Sequence, residues 1–282
     1  MKSDSPLSEP ISLLCDQPTN TIPAMTIGIG VICESGKSVV VVADRWTTGA
    51  DANFDVSYAK IQIISPRVLV VSAGIKHEIT HVMEGMHDEP ESTVKEFAER
   101  LRQSREAMRS KHVATIVNRR LGMDFSKFVS LAAAADSSLY REVSKEIANV
   151  SLAMNLLVAG VDDSGAHLFH ADEFPVPARF DDQGFTAIGS GSGHATPSLA
   201  RQRYRPSCNL AEGVFSAYCA KRAAEFGMHV GGTTDVAIIR SGESARFLSK
   251  AALKELRVLF RETSKASQLN RSQCGRIAKH LE

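Results

Sequence analysis

No apolar run in this sequence approaches the roughly 20 residues that a membrane-spanning helix needs, so a chain embedded in a membrane is not expected. Neither sign of charge dominates. Lys and Arg number 33 against 32 Asp and Glu, for a formal net charge of +1. Such a balance argues against a protein that lives on nucleic-acid phosphates or anionic membranes. The five cysteines, Cys15, Cys33, Cys208, Cys219 and Cys274, contain no CxxC pair. A zinc ribbon or dithiol redox centre is therefore not expected, and reduced thiols in the cytoplasm fit the pattern. A secretory signal is also missing. Asp4, Glu9 and Asp16 interrupt the first 24 residues. Their one apolar stretch, Ile11 to Cys15, is shorter than a signal core of about 7–15 residues. Pro6, Pro10, Pro18 and Pro23, set among Ser and Asn, read instead as a leader outside the fold. What is present is globular: 43% of residues are hydrophobic and 23% charged, which excludes disordered and collagen-like chains.

Order begins at Met25. Thr26 to Cys33 is rich in β-branched residues, Glu34 to Ser38 is a polar turn, and Val39 to Ala43 is an unbroken apolar run ending at Asp44. This pattern predicts a hairpin buried on both faces. Tyr58–Ser65 and Arg67–Ala73 predict a second strand pair. Helices are predicted from Glu78 to His87, from a Ser92 cap onward with Val94, Phe97, Ala98, Leu101 and Arg105 at helical spacing, and from about Asp124 to Val150. Arg102, Arg105, Arg109, Lys111, Arg119 and Arg120 read as a solvated helical face. Strands return at Asn155–Val161, Ala166–His170 and Phe185–Ile188. Helices follow at about His194–Tyr204 and Leu210–Phe226, then a strand at Thr233–Arg240, a short partner at Arg246–Leu248 and a helix at Ala251–Arg261. Blocks of strands and helices kept apart in this way argue for α+β layers rather than a parallel βαβ sheet. Nothing linker-like divides the chain after Met25.

Three groups of residues could carry chemistry. Gly189-Ser-Gly-Ser-Gly193 follows a strand and precedes a helix, but lacks the third spaced glycine of a dinucleotide site. With no GxxxxGK[ST] pattern in the chain, it reads as a tight turn with close backbone packing. His77-Glu-Ile-Thr-His81 meets the literal HExxH zinc-protease pattern. It follows directly on a strand, however, and no third ligand is apparent, so surface histidines are the expectation. The third group is Thr26, Asp44, Lys60 and Gly74. A threonine hydroxyl is a weak nucleophile, but cleavage before Thr26 frees an α-amine of pKa about 7.7–8.0 that can act as its base. Lys60 adds positive charge beside the nucleophile, and Asp44 holds that ammonium in place. A backbone N–H at Gly74 can receive an oxyanion.

Thr26-Ile-Gly-Ile-Gly-Val, VVVVADR over 39–45, Ala59-Lys60-Ile61, Ser72-Ala73-Gly74, LVAGVD over 157–162, AIGSGS over 187–192 and GGTTDVAII over 231–239 occur in this order. The ordered set resembles the proteasome β-subunit family over nearly all of residues 26–240. The 16 residues from Asp44 to Lys60 and the 14 from Lys60 to Gly74 match the family. The 18 from Thr26 to Asp44 are two more than usual, an excess that the turn at Lys37-Ser38 absorbs. The resemblance implies a four-layer αββα sandwich of the N-terminal-nucleophile hydrolase type, spanning 26–282 with a C-terminal helical extension. It also implies a threonine peptidase with no metal or organic cofactor. Thr26 would be nucleophile and, through its amine, base. Asp44 and Lys60 would be its electrostatic support, Gly74 the oxyanion donor and Ser190 an orienter of the amine. Thr48 would hold the substrate backbone, and Ser72 and Lys76 would line the pocket for the side chain before the scissile bond. Expected partners are copies of the chain in a ring-shaped homo-oligomer, a peptide or unfolded-protein substrate, and an ATP-dependent unfoldase.

The sequence departs from the family in four places. Gly227 and Val230 stand where an Asp and a Ser usually complete the hydrogen bonds around the amine, and Met25 replaces the usual Gly before the nucleophile. The helices between Ser92 and Val150 are longer than the family norm. Residues 1–25 are then a leader, a propeptide or a stretch upstream of a translation start at Met25, where methionine removal alone would free Thr26. Two further readings stay open: a catalytically inactive proteasome-like structural subunit, and an N-terminal-nucleophile amidase acting on a small molecule.

Overall fold

The computed structural model describes residues 26–48, 53–55, 59–87, 89, 92–132, 138–172, 175–227 and 230–266. The expected leader, with Met25, lies outside the described residues. Strand β1, Gly28–Cys33, turns into β2, Ser38–Asp44, through Glu34, Ser35 and Gly36, all at positive φ. Both strands are buried along their whole length, as expected of runs rich in β-branched residues without a polar face. A short ribbon, β3 (Trp46–Thr48) with β4 (Asn53–Asp55), follows and was not anticipated. The second expected pair is β5, Ile61–Ser65, and β6, Val68–Gly74.

Helix α1 spans Lys76–Met83 and α2 spans Val94–Leu121. The α2 cap is Thr93 rather than Ser92: its hydroxyl accepts from Glu96 N–H while the Glu96 carboxylate accepts from Thr93 N–H. This reciprocal box needs a carboxylate three residues past the cap, and Ser92 has Lys95 there. The single helix expected over 124–150 is instead two, α3 (Phe125–Ala132) and α4 (Ser138–Ala148). They close a small cluster of Val117, Phe128 and Val143 against the end of α2.

The chain continues through β7 (Met154–Asp162), β8 (Gly165–His170), β9 (Ala178–Arg179) and β10 (Phe185–Ile188). Then come α5 (Ser192–Arg201), α6 (Leu210–Ala224), β11 (Thr234–Arg240), β12 (Arg246–Phe247) and α7 (Lys250–Ala266). The protein is thus a mixed α+β structure with two five-stranded antiparallel sheets. Their orders are β10-β1-β2-β11-β12 and β5-β6-β7-β8-β9.

Alternation along β2 and β6 decides how these sheets pack. Val39, Val41 and Ala43 of β2 join Leu69, Val71 and Ala73 of β6 in one core shared by both sheets. Val40 and Val42 face the other way, into a core with Ala195 and Leu199 of α5 and Ala217 and Tyr218 of α6. Val68 and Val70 meet Ile79 and Val82 of α1 and Phe97 and Leu101 of α2. Each such Val or Leu contributes about 1.5–3 kcal/mol by leaving water. The two β1 glycines set the sheet spacing. A Cβ at Gly28 would stand 2.6 Å from Val71 Cγ1, and one at Gly30 2.7 Å from Leu168 Cδ2.

Arg105 is a correction to the basic face read along α2. It is 2% exposed, on the same stripe as Phe97 and Leu101. Its neighbours behave as surface residues, Arg102 pairing with Glu99 at 2.8 Å. Among the described residues no helix is long and apolar enough to cross a membrane.

Candidate active site

Thr26 stands two residues before β1, and both of its backbone groups are held by the turn between β10 and α5. Its N–H donates to Ser190 Oγ at 3.2 Å, and its carbonyl accepts from Gly191 N–H at 3.2 Å and from Ser190 Oγ at 3.3 Å. Gly189 makes this approach possible. It sits at φ +86°, and any Cβ there would strike the Thr26 carbonyl oxygen. The glycine-rich turn noted in the sequence is therefore a backbone clamp on Thr26.

Asp44, the last residue of β2, is completely buried. Its Oδ1 accepts from Thr26 Oγ1 at 2.8 Å, Ile27 N–H at 3.1 Å and Lys60 Nζ at 2.7 Å. Lys60 Nζ also donates to Thr26 Oγ1. The hydroxyl thus receives a hydrogen bond from an ammonium and directs its own proton to a carboxylate. Thr26 and Lys60 are 2% and 6% exposed, so little water screens this arrangement. The structure brings together Thr26, Asp44, Lys60 and Ser190, which are 164 positions apart at the extremes.

The remaining expected site residues lie around this centre or outside what is described. Ser72 N–H donates to the Lys60 carbonyl at 3.0 Å, which sets the end of β6 beside Lys60. Gly74 closes that strand at φ +140°, where a Cβ would meet the Ala153 carbonyl and stand 2.6 Å from Met154 Cα. Only glycine fits such a position without strain. The Ser72 hydroxyl is buried and has no hydrogen-bond partner among the described residues. Lys76, exposed, begins α1 and with His77, Thr80, His81 and Glu84 lines a surface depression of about 550 Å³ that does not include Ser72. Thr48 ends β3, but its side chain lies outside the described residues.

Sequence reasoning assigned no role to several residues that complete the centre. Gly231 N–H donates to Asp44 Oδ2 at 2.9 Å, and the Gly231 carbonyl accepts from Lys221 Nζ at 2.6 Å. Lys221, on α6, is wholly buried and also binds Glu225 at 2.5 Å. Burial pushes the Lys221 pKa below the ordinary lysine range. The Glu225 carboxylate and, next, Asp44 act against that fall. Arg45 forms a two-pronged ion pair with buried Asp235 at 2.7 and 2.6 Å, locking the end of β2 to β11. One signal in the sequence points to Lys221. It shares the α6 stripe of Val214, Ala217, Tyr218 and Ala224, where a charge needs a partner.

Neither Gly227 nor Val230 carries a polar side chain. A Cβ on Gly227 would stand 2.9 Å from His194 Cδ2, and Val230 packs on the core of β1 and α6.

Two other constellations lack the wiring for catalysis. In the HExxH segment His77 and His81 are exposed while Glu78 is buried, so the carboxylate does not share their face. No group of three or more metal-ligating side chains occurs among the described residues. Ser164 Oγ, His167 and Asp181 have the outward form of a triad, at 2.8 and 2.7 Å. His167 is nevertheless held between two carboxylates, Asp181 and Asp162. The Asp181 hydrogen bond outweighs burial and raises the His167 pKa, Asp162 adding to it. The Ser164 hydroxyl lies 2.7 Å from Asp162 Oδ1, to which it donates, so its proton is directed to a carboxylate and not to His167.

A scan against protein-family models matches none of them to this chain, and a search of curated proteins returns no match.

Proposed function

We propose that the chain is a threonine-type peptidase of the N-terminal-nucleophile class, with Thr26 as nucleophile and the layered arrangement read as the four-layer αββα sandwich of that class. One observation carries this reading: a threonine hydroxyl bonded at once to a buried ammonium and a buried carboxylate. An ordinary core threonine has no need of that company, and burying an ion pair is costly unless the pair is used or fully bonded.

The chemistry requires cleavage of the bond before Thr26. The freed amine then takes the hydroxyl proton as Thr26 Oγ1 attacks the peptide carbonyl. Lys60 lowers the energy of the developing alkoxide, and Asp44 keeps Lys60 oriented. The proton passes to the leaving amine as the C–N bond breaks. Water then hydrolyses the Thr26 ester and regenerates the hydroxyl and amine. Gly74 N–H is assigned to the oxyanion, and Ser190 to the freed amine. The substrate is a peptide or unfolded protein, enclosed by a ring of identical subunits and delivered by an ATP-dependent unfoldase.

A second reading, the catalytically silent structural subunit, draws support from Gly227 and Val230, which bring no hydrogen-bonding side chains to the amine. One experiment separates the two. The full-length protein from its native host is analysed by intact mass and N-terminal sequencing. It is then treated with a peptide epoxyketone, which reacts with a hydroxyl and an adjacent free amine together. The peptidase reading expects a mature chain beginning at Thr26, an adduct on that residue and no adduct in Thr26→Ala. A chain that keeps residues before Thr26 and forms no adduct overturns it.

A further inference from the structure

We infer that Lys221 is a positioning residue for the Thr26 centre, holding Gly231 so that its N–H reaches Asp44, in place of the side chains absent at 227 and 230. The catalytic part of this inference rests on the peptidase reading; the positioning part does not.

The observations form a chain of contacts. Asp44 Oδ1 serves Thr26, Ile27 and Lys60. Oδ2 receives Gly231 N–H at 2.9 Å from the opposite side. That bond fixes the rotation of the carboxylate about its Cβ–Cγ bond, and with it the direction in which Oδ1 meets Lys60 and Thr26. Gly231 lies in the segment leading into β11 and has no side chain of its own to anchor it. Its carbonyl is held instead by Lys221 Nζ at 2.6 Å. Lys221 is fixed in turn by its place on the buried face of α6, at 0% exposure, and by Glu225 one turn later.

Burying a lysine has a cost that packing alone does not require, since an apolar side chain of the same length would fill the space. The ammonium has a use here: it bonds a backbone carbonyl next to the N–H that aligns Asp44. A hydrogen bond to a charged donor is among the stronger ones available.

The test is amide hydrogen exchange on the full chain, comparing wild type with Lys221→Met, which keeps the length of the side chain and removes the charge. The Gly231 amide is expected to exchange at least about tenfold faster in Lys221→Met, the size of a lost hydrogen bond to a charged group. Amides in the β1–β2–β11 ladder, such as Val41 and Val236, are expected to keep their wild-type rates. Unchanged Gly231 exchange in a folded Lys221→Met overturns the inference. Should that variant not fold, Glu225→Gln replaces it. Loss of the Glu225 charge, which turns a charge-assisted hydrogen bond to Lys221 into a weaker one, should raise Gly231 exchange a few-fold, and no rise overturns the inference. With a wild type that cleaves peptides, Lys221→Met should lower kcat about tenfold or more while KM stays within about twofold, because Lys221 touches no substrate. Loss confined to KM overturns the catalytic part. A wild type without peptidase activity defeats the peptidase reading alone, and Gly231 exchange still decides the placement of Lys221.

Discussion

Replacing Asp44 by Asn should destabilise the fold far more than its small change in shape implies, and replacing Lys60 as well should return much of the loss. Asp44 is 0% exposed and the Lys60 side chain 7%, with 2.7 Å between Oδ1 and Nζ. Removing one partner of a buried pair leaves an uncompensated charge and costs about 3–5 kcal/mol. In Asp44→Asn the neutral amide also turns an NH2 donor toward one of two donors, Lys60 Nζ or Gly231 N–H. An unmet buried donor adds about 1–3 kcal/mol. Lys60→Met should cost a similar amount by stranding the carboxylate, softened by Ile27 and Gly231, which still donate to it. The double variant buries no charge at this point. Its total should therefore fall short of the summed single costs by about 2 kcal/mol or more, in the upper part of the range for coupled neighbours. Urea unfolding followed by far-UV circular dichroism gives all four free energies; the loss of the pair alone should lower the melting temperature by about 6–20 °C, and Asp44→Asn should fall further than Lys60→Met. Single costs below about 1 kcal/mol, or costs additive to within about 0.5 kcal/mol, would refute the claim that these two charges hold one another.

Two further predictions concern other parts of the fold. Gly74→Ala should cost about 2–5 kcal/mol in thermal unfolding, combining an unfavourable φ with a Cβ against fixed backbone atoms; Gly36→Ala, also at positive φ but facing open space, should cost only about 1–2 kcal/mol, and equal losses would sink the steric argument. His167 has a raised pKa in the folded state, so its contribution is fully present below the unfolded value of about 6.5 and fades as pH rises through the folded one; the stability gap between wild type and His167→Gln should narrow from pH 6 to pH 9 in urea titrations, and a gap that widens would contradict the assignment.

The sequence made some of this arrangement legible and hid the rest for a physical reason. The hairpin of β1 and β2 and the strand β11 follow from runs rich in β-branched residues, whereas the grouping of Thr26, Asp44 and Lys60 was suggested by the family resemblance and not by those runs. Such runs have only one stable use, a strand covered on both faces. The division of 124–150 into α3 and α4 was not legible, because helical periodicity reads the same through a break as through a continuous helix. Ser92 and Thr93 are both good caps by type, and only the position of Glu96 three residues on decides for Thr93. Arg105 carried its own clue, standing at the core spacing of α2 while reading by composition as surface. Lys221 was hidden for a related reason. A charge on a buried stripe announces that it has a partner; Glu225, four residues on, is legible from spacing, but the Gly231 carbonyl is a partner that no residue type encodes. The same limit applies to Gly227 and Val230. Taken position by position, they offer no hydrogen-bonding side chain, Gly227 lying against His194 and Val230 on the core. Taken in space, the alignment of Asp44 is supplied from α6 through the backbone of Gly231.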